Sequence, residues 1–187
     1  AENKPDAYKK IIQTNPKLPY IVFADDTKQM EELQKMHEKT IDELNSQSEE
    51  TISKAHFTYS GKTATSTRKE ILKQSVTHKR PIFAMYCLDE GIDVPEFRGA
   101  ILVASSRSKR QYIQRRGRIL RKSKKEEQAQ LYDIIVFPSY QNDTIDNVIS
   151  ESIINSEYER FIELSSDAEN KYGALVEYNT HKTKMGF

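Results

Sequence analysis

Short apolar runs alternate along the chain with segments in which apolar residues recur every three or four positions. The runs are too brief for buried helices and are bounded by proline, glycine or polar residues, so they predict strands. We expect five strands, at 20–24, 52–59, 81–86, 100–104 and 131–137. The periodic segments predict helices over 30–44, 67–76 and 108–116, and one or two more over 143–170. The tail after Gly173 is polar and poorly patterned.

This order of elements indicates the fold class. Strands that alternate with helices predict an α/β fold: a doubly wound, mostly parallel sheet of about five or six strands with helices on both faces. The helical residues after the last strand add a C-terminal helical extension. We therefore expect a linker at 1–17, an α/β lobe at 18–140, and a helical extension and tail at 141–187.

Composition narrows the class of protein. The 187 residues are 36% hydrophobic and 30% charged, which is typical of a globular domain. No apolar stretch approaches the roughly 18 residues of a membrane helix, so we expect no membrane partner. The single cysteine, Cys87, excludes an internal disulfide and a cysteine-cluster zinc site. We expect a reducing, cytoplasmic setting and no structural metal.

The net charge of +1 hides a strong segregation of charge. Residues 107–125 contain ten Lys or Arg and no Asp or Glu, whereas the rest of the chain has 19 basic and 28 acidic residues. A basic block in an acidic chain indicates a local site for a polyanion. A solvated charged helix would have the same composition.

Two motifs resemble parts of an ATPase but do not complete one. Gly61-Lys62-Thr63 resembles the end of a phosphate-binding loop, and Asp89-Glu90 resembles the acidic pair that accompanies it. Such a loop needs a glycine five residues before Gly61, where this chain has His56. We therefore interpret 60–62 as a tight turn after a strand, and Asp89-Glu90 as a capping or surface pair.

Two other segments fit together. Residues 87–95 follow the third strand and residues 111–121 follow the fourth. The carboxyl ends of parallel strands meet at one edge of the sheet, where such folds bind ligands. Arg118 and Arg121 are three apart, so on a helix they share a face and can hold the oxygens of a phosphate. The spacing alone fits an exposed basic helix equally well.

These segments resemble the motifs of superfamily 2 helicases. Glu90-Gly91-Ile92-Asp93-Val94-Pro95 looks like motif V, and the segment 114–121, Gln-Arg-Arg-Gly-Arg-Ile-Leu-Arg, looks like motif VI. Residues 20–27 resemble the motif IV strand, and 56–61 the strand and turn after it. The branch with transcription–repair helicases, restriction-enzyme motor subunits and bacterial defence helicases is the most similar. DEAD-box helicases are less similar: they usually have a glycine at the position of Leu120, and Thr-Asp where this chain has Met85-Tyr86.

The resemblance implies a RecA-like lobe that works with another, similar lobe. In this family the first lobe holds most of the ATP and Mg²⁺. The second lobe, which this chain resembles, supplies arginine fingers. Carried over by position, the fingers are Arg118 and Arg121, and residues near ATP or at the lobe interface are Gly91, Asp93, Gln114 and Arg115. Nucleic acid, DNA rather than RNA, would approach Phe23, Ala24, Asp25, Ser60, Gly61, Lys62 and Met85. The chain alone is expected to be inactive.

Two other functions remain possible from the residues. The chain could be a non-catalytic nucleic-acid-binding module that uses the basic segment 107–125. It could also be a degenerate lobe that serves only as a protein partner. The Gly91–Asp93 and 114–121 patterns argue against a scaffold, because a scaffold needs none of those residues.

Overall fold

The computed structural model describes residues 4–85, 99–103, 128–137 and 144–185. The chain forms two compact units, residues 1–134 and residues 135–187, which we describe separately. The predicted helix at 108–116 lies outside the described residues. None of the helices that the structure describes is both long and apolar enough to cross a membrane.

The first unit is built on a five-stranded sheet. The strands are β1 (Tyr20–Ala24), β2 (Phe57–Tyr59), β3 (Ile82–Met85), β4 (Gly99–Leu102) and β5 (Gln130–Asp133). Their order is β2-β3-β1-β4-β5, and every pair is parallel. This arrangement confirms the predicted parallel α/β fold. A parallel sheet is covered on both faces, which explains why its three central strands, β1, β3 and β4, read as apolar runs.

Three described helices cover this sheet: α1 (Lys4–Thr14), α2 (Thr27–Asn45) and α3 (Thr65–His78). Two neighbouring residues of β2 show that α2 and α3 lie on opposite faces. The hydroxyl of Thr58 accepts a hydrogen bond from Gln34 Nε2 of α2 at 2.8 Å. The guanidinium of Arg68, on α3, lies 5.4 Å from the centre of the Tyr59 ring. Successive strand residues point to opposite faces, so the two helices do too.

Helix α1 occupies part of the segment that the sequence leaves as a linker. Its Tyr8 and Ile12 are fully buried and join Leu33 and Ile41 of α2 in one apolar cluster over the sheet. Tyr8 and Ile12 are four residues apart, so they share one face of the helix. Pro5 lies in the first turn, where its missing N–H costs no hydrogen bond.

The second strand is shorter than its sequence predicts. The side-chain amide of Asn45 donates to the carbonyl oxygen of Ile52 at 2.9 Å and accepts from its N–H at 2.7 Å. These bonds hold Ile52 in the loop after α2, and β2 begins only at Phe57. β5 is also shorter than predicted and ends at Asp133, and beyond it the N–H of Val136 donates to Glu157 Oε2 at 3.4 Å.

The second unit contains helices α4 (Thr144–Ser165) and α5 (Lys171–Lys184). α4 confirms the predicted helical extension, whereas α5 forms where the sequence predicts an unpatterned tail. Tyr178 is the one buried residue of α5, and its ring packs against Phe137, Tyr158 and Phe161. Its hydroxyl donates to the carbonyl oxygen of Ile154 at 3.1 Å. Inside α4, Glu157 and Arg160 form a buried ion pair at 2.6 Å.

Candidate nucleic-acid interface

The carboxyl edge of the sheet is flush across all five strands. Tyr59, Ala84, Phe23, Leu102 and Asp133 form one register row from β2 to β5. The chain leaves this edge after Met85 and Val103 into residues 86–98 and 104–127, which carry the motif V and motif VI sequences. The predicted nucleic-acid residues of β1, β2 and β3 therefore lie in this row or directly beyond it.

At the end of β1, the side chains of Phe23 and Ala24 are each only 2% exposed. The carbonyl oxygen of Phe23 accepts the N–H of Val103 at 3.1 Å. These two residues hold the sheet together and present little surface to a ligand. Met85 pairs with Ala24 in the register and is partly buried, with its sulfur 3.7 Å from the hydroxyl of Thr27. Among the predicted contacts at the β1 and β3 ends, Asp25 and Met85 have accessible side chains.

The N-terminus of α2, next to Asp25, is closed by its own side chains. Asp26 Oδ1 accepts the N–H of Gln29 at 2.7 Å, and Gln29 Oε1 accepts the N–H of Asp25 at 2.8 Å. These bonds satisfy donors that the first turn of a helix leaves free. Together with the negative charge of the two aspartates, they make this end of α2 a poor site for a phosphate.

The turn after β2 has the opposite character. The N–H of Thr63 donates to Ser60 O at 2.9 Å, and the N–H of Ser60 donates to Thr63 Oγ1 at 3.0 Å. Arg68 Nε donates to Thr63 O at 2.9 Å and anchors the turn to α3. Gly61 and Lys62 are exposed at its tip. The roles of Thr63 and Arg68 were not predicted from the sequence, although a Ser and a Thr three residues apart are typical of such turns.

The N-terminus of α3 directly follows this turn. Its N-cap is Ala64, whose methyl group cannot accept a hydrogen bond, so no side chain of that residue closes the first turn. Free N–H groups and the helix dipole favour an anion at such a position. Lys62 lies two residues before the cap and adds a full positive charge. This end of the sheet is therefore suited to a phosphate, whereas the N-terminus of α2 is not.

Lys4 is a further residue at the carboxyl edge that the sequence did not indicate. It is 6% exposed, and its Nζ donates to the carbonyl oxygen of Val103 at 2.5 Å. The bond joins the first turn of α1 to Val103, directly after β4. No sequence pattern marks a buried lysine, because lysine is almost always exposed.

The predicted nucleotide residues lie outside the described part of the chain. These are Gly91, Asp93, Gln114, Arg115, Arg118 and Arg121. Their roles stay predictions. Within the described residues, no group of three or more His, Cys, Asp or Glu side chains could hold a metal ion.

The five-stranded parallel sheet with helices on both faces has the fold of a RecA-like lobe. Residues 3–123 match the family described as the helicase conserved C-terminal domain. The match covers well over half of the chain, and the chain belongs to this family.

A curated relative and two solved structures extend the comparison. The chain is 44% identical over 75 residues to the DNA 3′-5′ translocase XPB2 of Sulfurisphaera tokodaii, a match that spans 40% of this chain and 17% of that protein. The C-terminal part of the Fun30 ATPase domain has a TM-score of 0.54 at 17% identity, over 87% of this chain and 54% of that one. UvsW of T4 has a TM-score of 0.51 at 20% identity, over 88% of this chain and 32% of that one. The structural likenesses show the fold.

Proposed function

We propose that the chain is the second motor lobe of an ATP-dependent helicase or translocase of superfamily 2 that acts on DNA. The observation that carries the proposal is the motif VI sequence 114–121, which lies between β4 and β5 in a chain of the helicase C-terminal family. The DNA translocase named above supports DNA over RNA, although the match spans 17% of its length. The branch with transcription–repair and restriction motors is the one we favour.

In this proposal the lobe completes an ATP site that a first lobe begins. Arg118 and Arg121 stabilise the charge that develops on the transferred phosphoryl group. Gln114 and Arg115 support the lobe interface, and Gly91 and Asp93 lie near the ribose and the arginines. ATP and Mg²⁺ are held mainly by the first lobe. The turn at 60–63 does not replace a phosphate loop, because the N–H groups of Ser60, Lys62 and Thr63 donate within the turn.

DNA contacts the lobe through its phosphates in this proposal. The exposed tip at Gly61-Lys62 and the first turn of α3 provide a lysine and a helix N-terminus that has no side-chain cap. Asp25 and Met85 lie along the same edge, whereas Phe23 and Ala24 contribute backbone at most. Contacts of this kind position a nucleic acid without reading its sequence.

The test uses the longer protein that contains this chain. Arg121→Ala is expected to lower ATP turnover by about a hundredfold or more, because a finger acts on the transition state. DNA affinity without nucleotide should change little. Arg121→Lys should rescue turnover poorly, since an ammonium cannot reproduce the planar fork of a guanidinium. Lys124→Ala is the control, because it removes the same charge just beyond the motif.

The alternative is a binding module that uses the basic segment 107–125 without catalysis. It predicts the reverse result. Arg121→Lys would retain DNA binding. Arg121→Ala would leave ATP turnover unaffected but weaken DNA binding, with a salt slope smaller by about one per lost contact. If Lys124→Ala reduces ATP turnover as much as Arg121→Ala does, bulk charge and not the finger position is responsible.

A further inference from the structure

Positive charge is concentrated in a second segment that the helicase motifs do not include. Residues 62–80 contain six Lys or Arg and one acidic residue, Glu70. Outside this segment and 107–125, 13 basic residues face 27 acidic ones. The turn after β2 and helix α3 therefore carry the main positive surface among the described residues.

The geometry of α3 places part of this charge on one exposed side. Lys69 and Lys73 are four residues apart, so their side chains lie one above the other along the helix. Both are exposed, whereas Leu72 and Ser75 face the interior and are 4% and 0% exposed. Lys62 lies at the N-terminal end of the same helix, at the tip of the turn. We call Lys69 and Lys73 the α3 lysine pair.

The neighbouring charges leave the α3 lysine pair available for a ligand. Glu70 accepts a hydrogen bond from Gln74 Nε2 at 2.6 Å, which directs its carboxylate to the flank of the helix. Arg68 is used to hold the turn and lies over Tyr59. By contrast, Glu43 and Asp42 of α2 form ion pairs with Lys9 and Lys54 at 2.6 and 3.0 Å.

We propose that the α3 lysine pair extends the DNA contact of the Ser60–Lys62 turn along the outer side of α3, by neutralising successive phosphates of one strand. Thr65 and Lys73 are about 12 Å apart along the axis at roughly 1.5 Å per residue. A duplex strand advances about 3.4 Å per nucleotide, so the track covers about three to four phosphates. This inference deepens the proposed function and rests on its DNA-binding part.

The experiment compares two lysine pairs with the same spacing. In the longer protein, K69Q/K73Q removes the α3 lysine pair, and K35Q/K39Q removes two exposed lysines, also four residues apart, from α2 on the opposite face of the sheet. Affinity for a mixed-sequence DNA duplex is measured between 50 and 200 mM salt, two concentrations that separate phosphate contacts clearly. Because all four lysines are exposed, thermal unfolding should be the same for both variants.

The α3 variant is expected to bind more weakly, with a salt slope smaller by about 1 to 2, near 0.9 for each lost duplex phosphate. K35Q/K39Q should keep the wild-type slope, K69R/K73R should retain binding, and Glu70→Gln should tighten it. Equal slopes for the two glutamine pairs would overturn the inference and leave the proposed function standing. A wild-type protein that shows no salt-dependent binding would overturn both.

Discussion

At the residue scale, Gly99 determines how β4 packs against β1. It pairs with Tyr20 in the register, and a Cβ at this position would lie 2.6 Å from Tyr20 Cδ1 and 2.8 Å from Leu18 Cδ2. Tyr20 is 1% exposed and its ring meets Tyr132 edge-on at 6.0 Å, so it has little room to move. A strand glycine often marks such a close approach.

Gly99→Ala is therefore expected to lower the free energy of unfolding by about 1–3 kcal/mol, as overpacking does in a dense core. Gly61→Ala is the matched control, because no atom lies within 4 Å of a Cβ built at Gly61. Urea unfolding of the two variants measures the difference. A Gly99→Ala protein as stable as Gly61→Ala would show that the ring of Tyr20 can move aside freely.

His37 is a second residue whose environment has a measurable consequence. It is 1% exposed, and its Nδ1 lies 3.3 Å from the Tyr8 hydroxyl. Its ring also lies edge-on to the rings of His56 and Phe83. The Nδ1 atom of His56 is 3.9 Å from Glu38 Oε1. Burial, with a smaller contribution from the nearby His56, lowers the pKa of His37 from 6.5 to about 4. The folded lobe therefore keeps His37 neutral.

This shift predicts that acid destabilises the lobe. Between about pH 6.5 and 4 the unfolded chain binds a proton at His37 that the folded chain does not, so stability falls as the pH falls through this window. The loss is at most about 3 kcal/mol, at 1.36 kcal/mol per pKa unit. His37→Phe should remove this part of the pH dependence, measured by urea unfolding at several pH values, whereas exposed His78→Gln should not. An unchanged pH profile in His37→Phe would refute the assignment.

At the scale of elements, the sequence predicts the strands and helices in which the pattern of apolar residues matches the pattern of buried residues. β1 was predicted at its observed bounds, and α2 and α3 lie where their periodicity places them. α1 was missed although Tyr8 and Ile12 carry a helical spacing, because the segment is short and lies between Pro5 and Pro16. β2 was predicted too long because Asn45 captures Ile52, a tertiary hydrogen bond that no local pattern reports.

α5 could not be predicted from periodicity because it has almost no apolar face. Tyr178 alone is buried, whereas Tyr172 and Val176 are 79% and 66% exposed.

The candidate site could be predicted only in part from the sequence. The turn at 60–62 follows from glycine and serine chemistry, but the burial of Phe23, Ala24 and Lys4 depends on neighbours that are distant in sequence.

Gly173 weakens α5, and its replacement tests the helix. Glycine inside a helix costs roughly 0.5–1 kcal/mol relative to alanine, and a Cβ at Gly173 would meet no atom within 4 Å. Gly173→Ala should therefore raise the helix signal in circular dichroism and the midpoint of thermal unfolding of the second unit. Gly61→Ala, in a turn, should leave the helix signal unchanged. No gain of helicity in Gly173→Ala would mean that α5 does not form in solution.

At the scale of the whole molecule, the positive charge of this helicase C-terminal domain is concentrated in two segments. The two basic segments, 62–80 and 107–125, stand out from a chain that is otherwise acidic. In the proposed function the segment 62–80 contacts DNA, and the segment 107–125 contributes the arginines that contact ATP. The described residues, however, provide no phosphate loop, since Gly61-Lys62-Thr63 lies in a turn whose N–H groups bond within the turn.

The 187-residue chain alone is therefore expected not to hydrolyse ATP. Phosphoryl transfer needs a loop and a metal that hold the β- and γ-phosphates, and arginine fingers act only on a nucleotide already held in place. Phosphate release should match the background without protein, for the wild type and equally for Lys62→Ala and Arg121→Ala. If the chain works as the proposed second lobe, addition of a first motor lobe that holds ATP should restore turnover in the wild type, and Arg121→Ala should block that gain. Steady hydrolysis by the isolated chain that Lys62→Ala abolishes would instead identify 61–63 as a working phosphate loop, and would contradict the division of labour between two lobes.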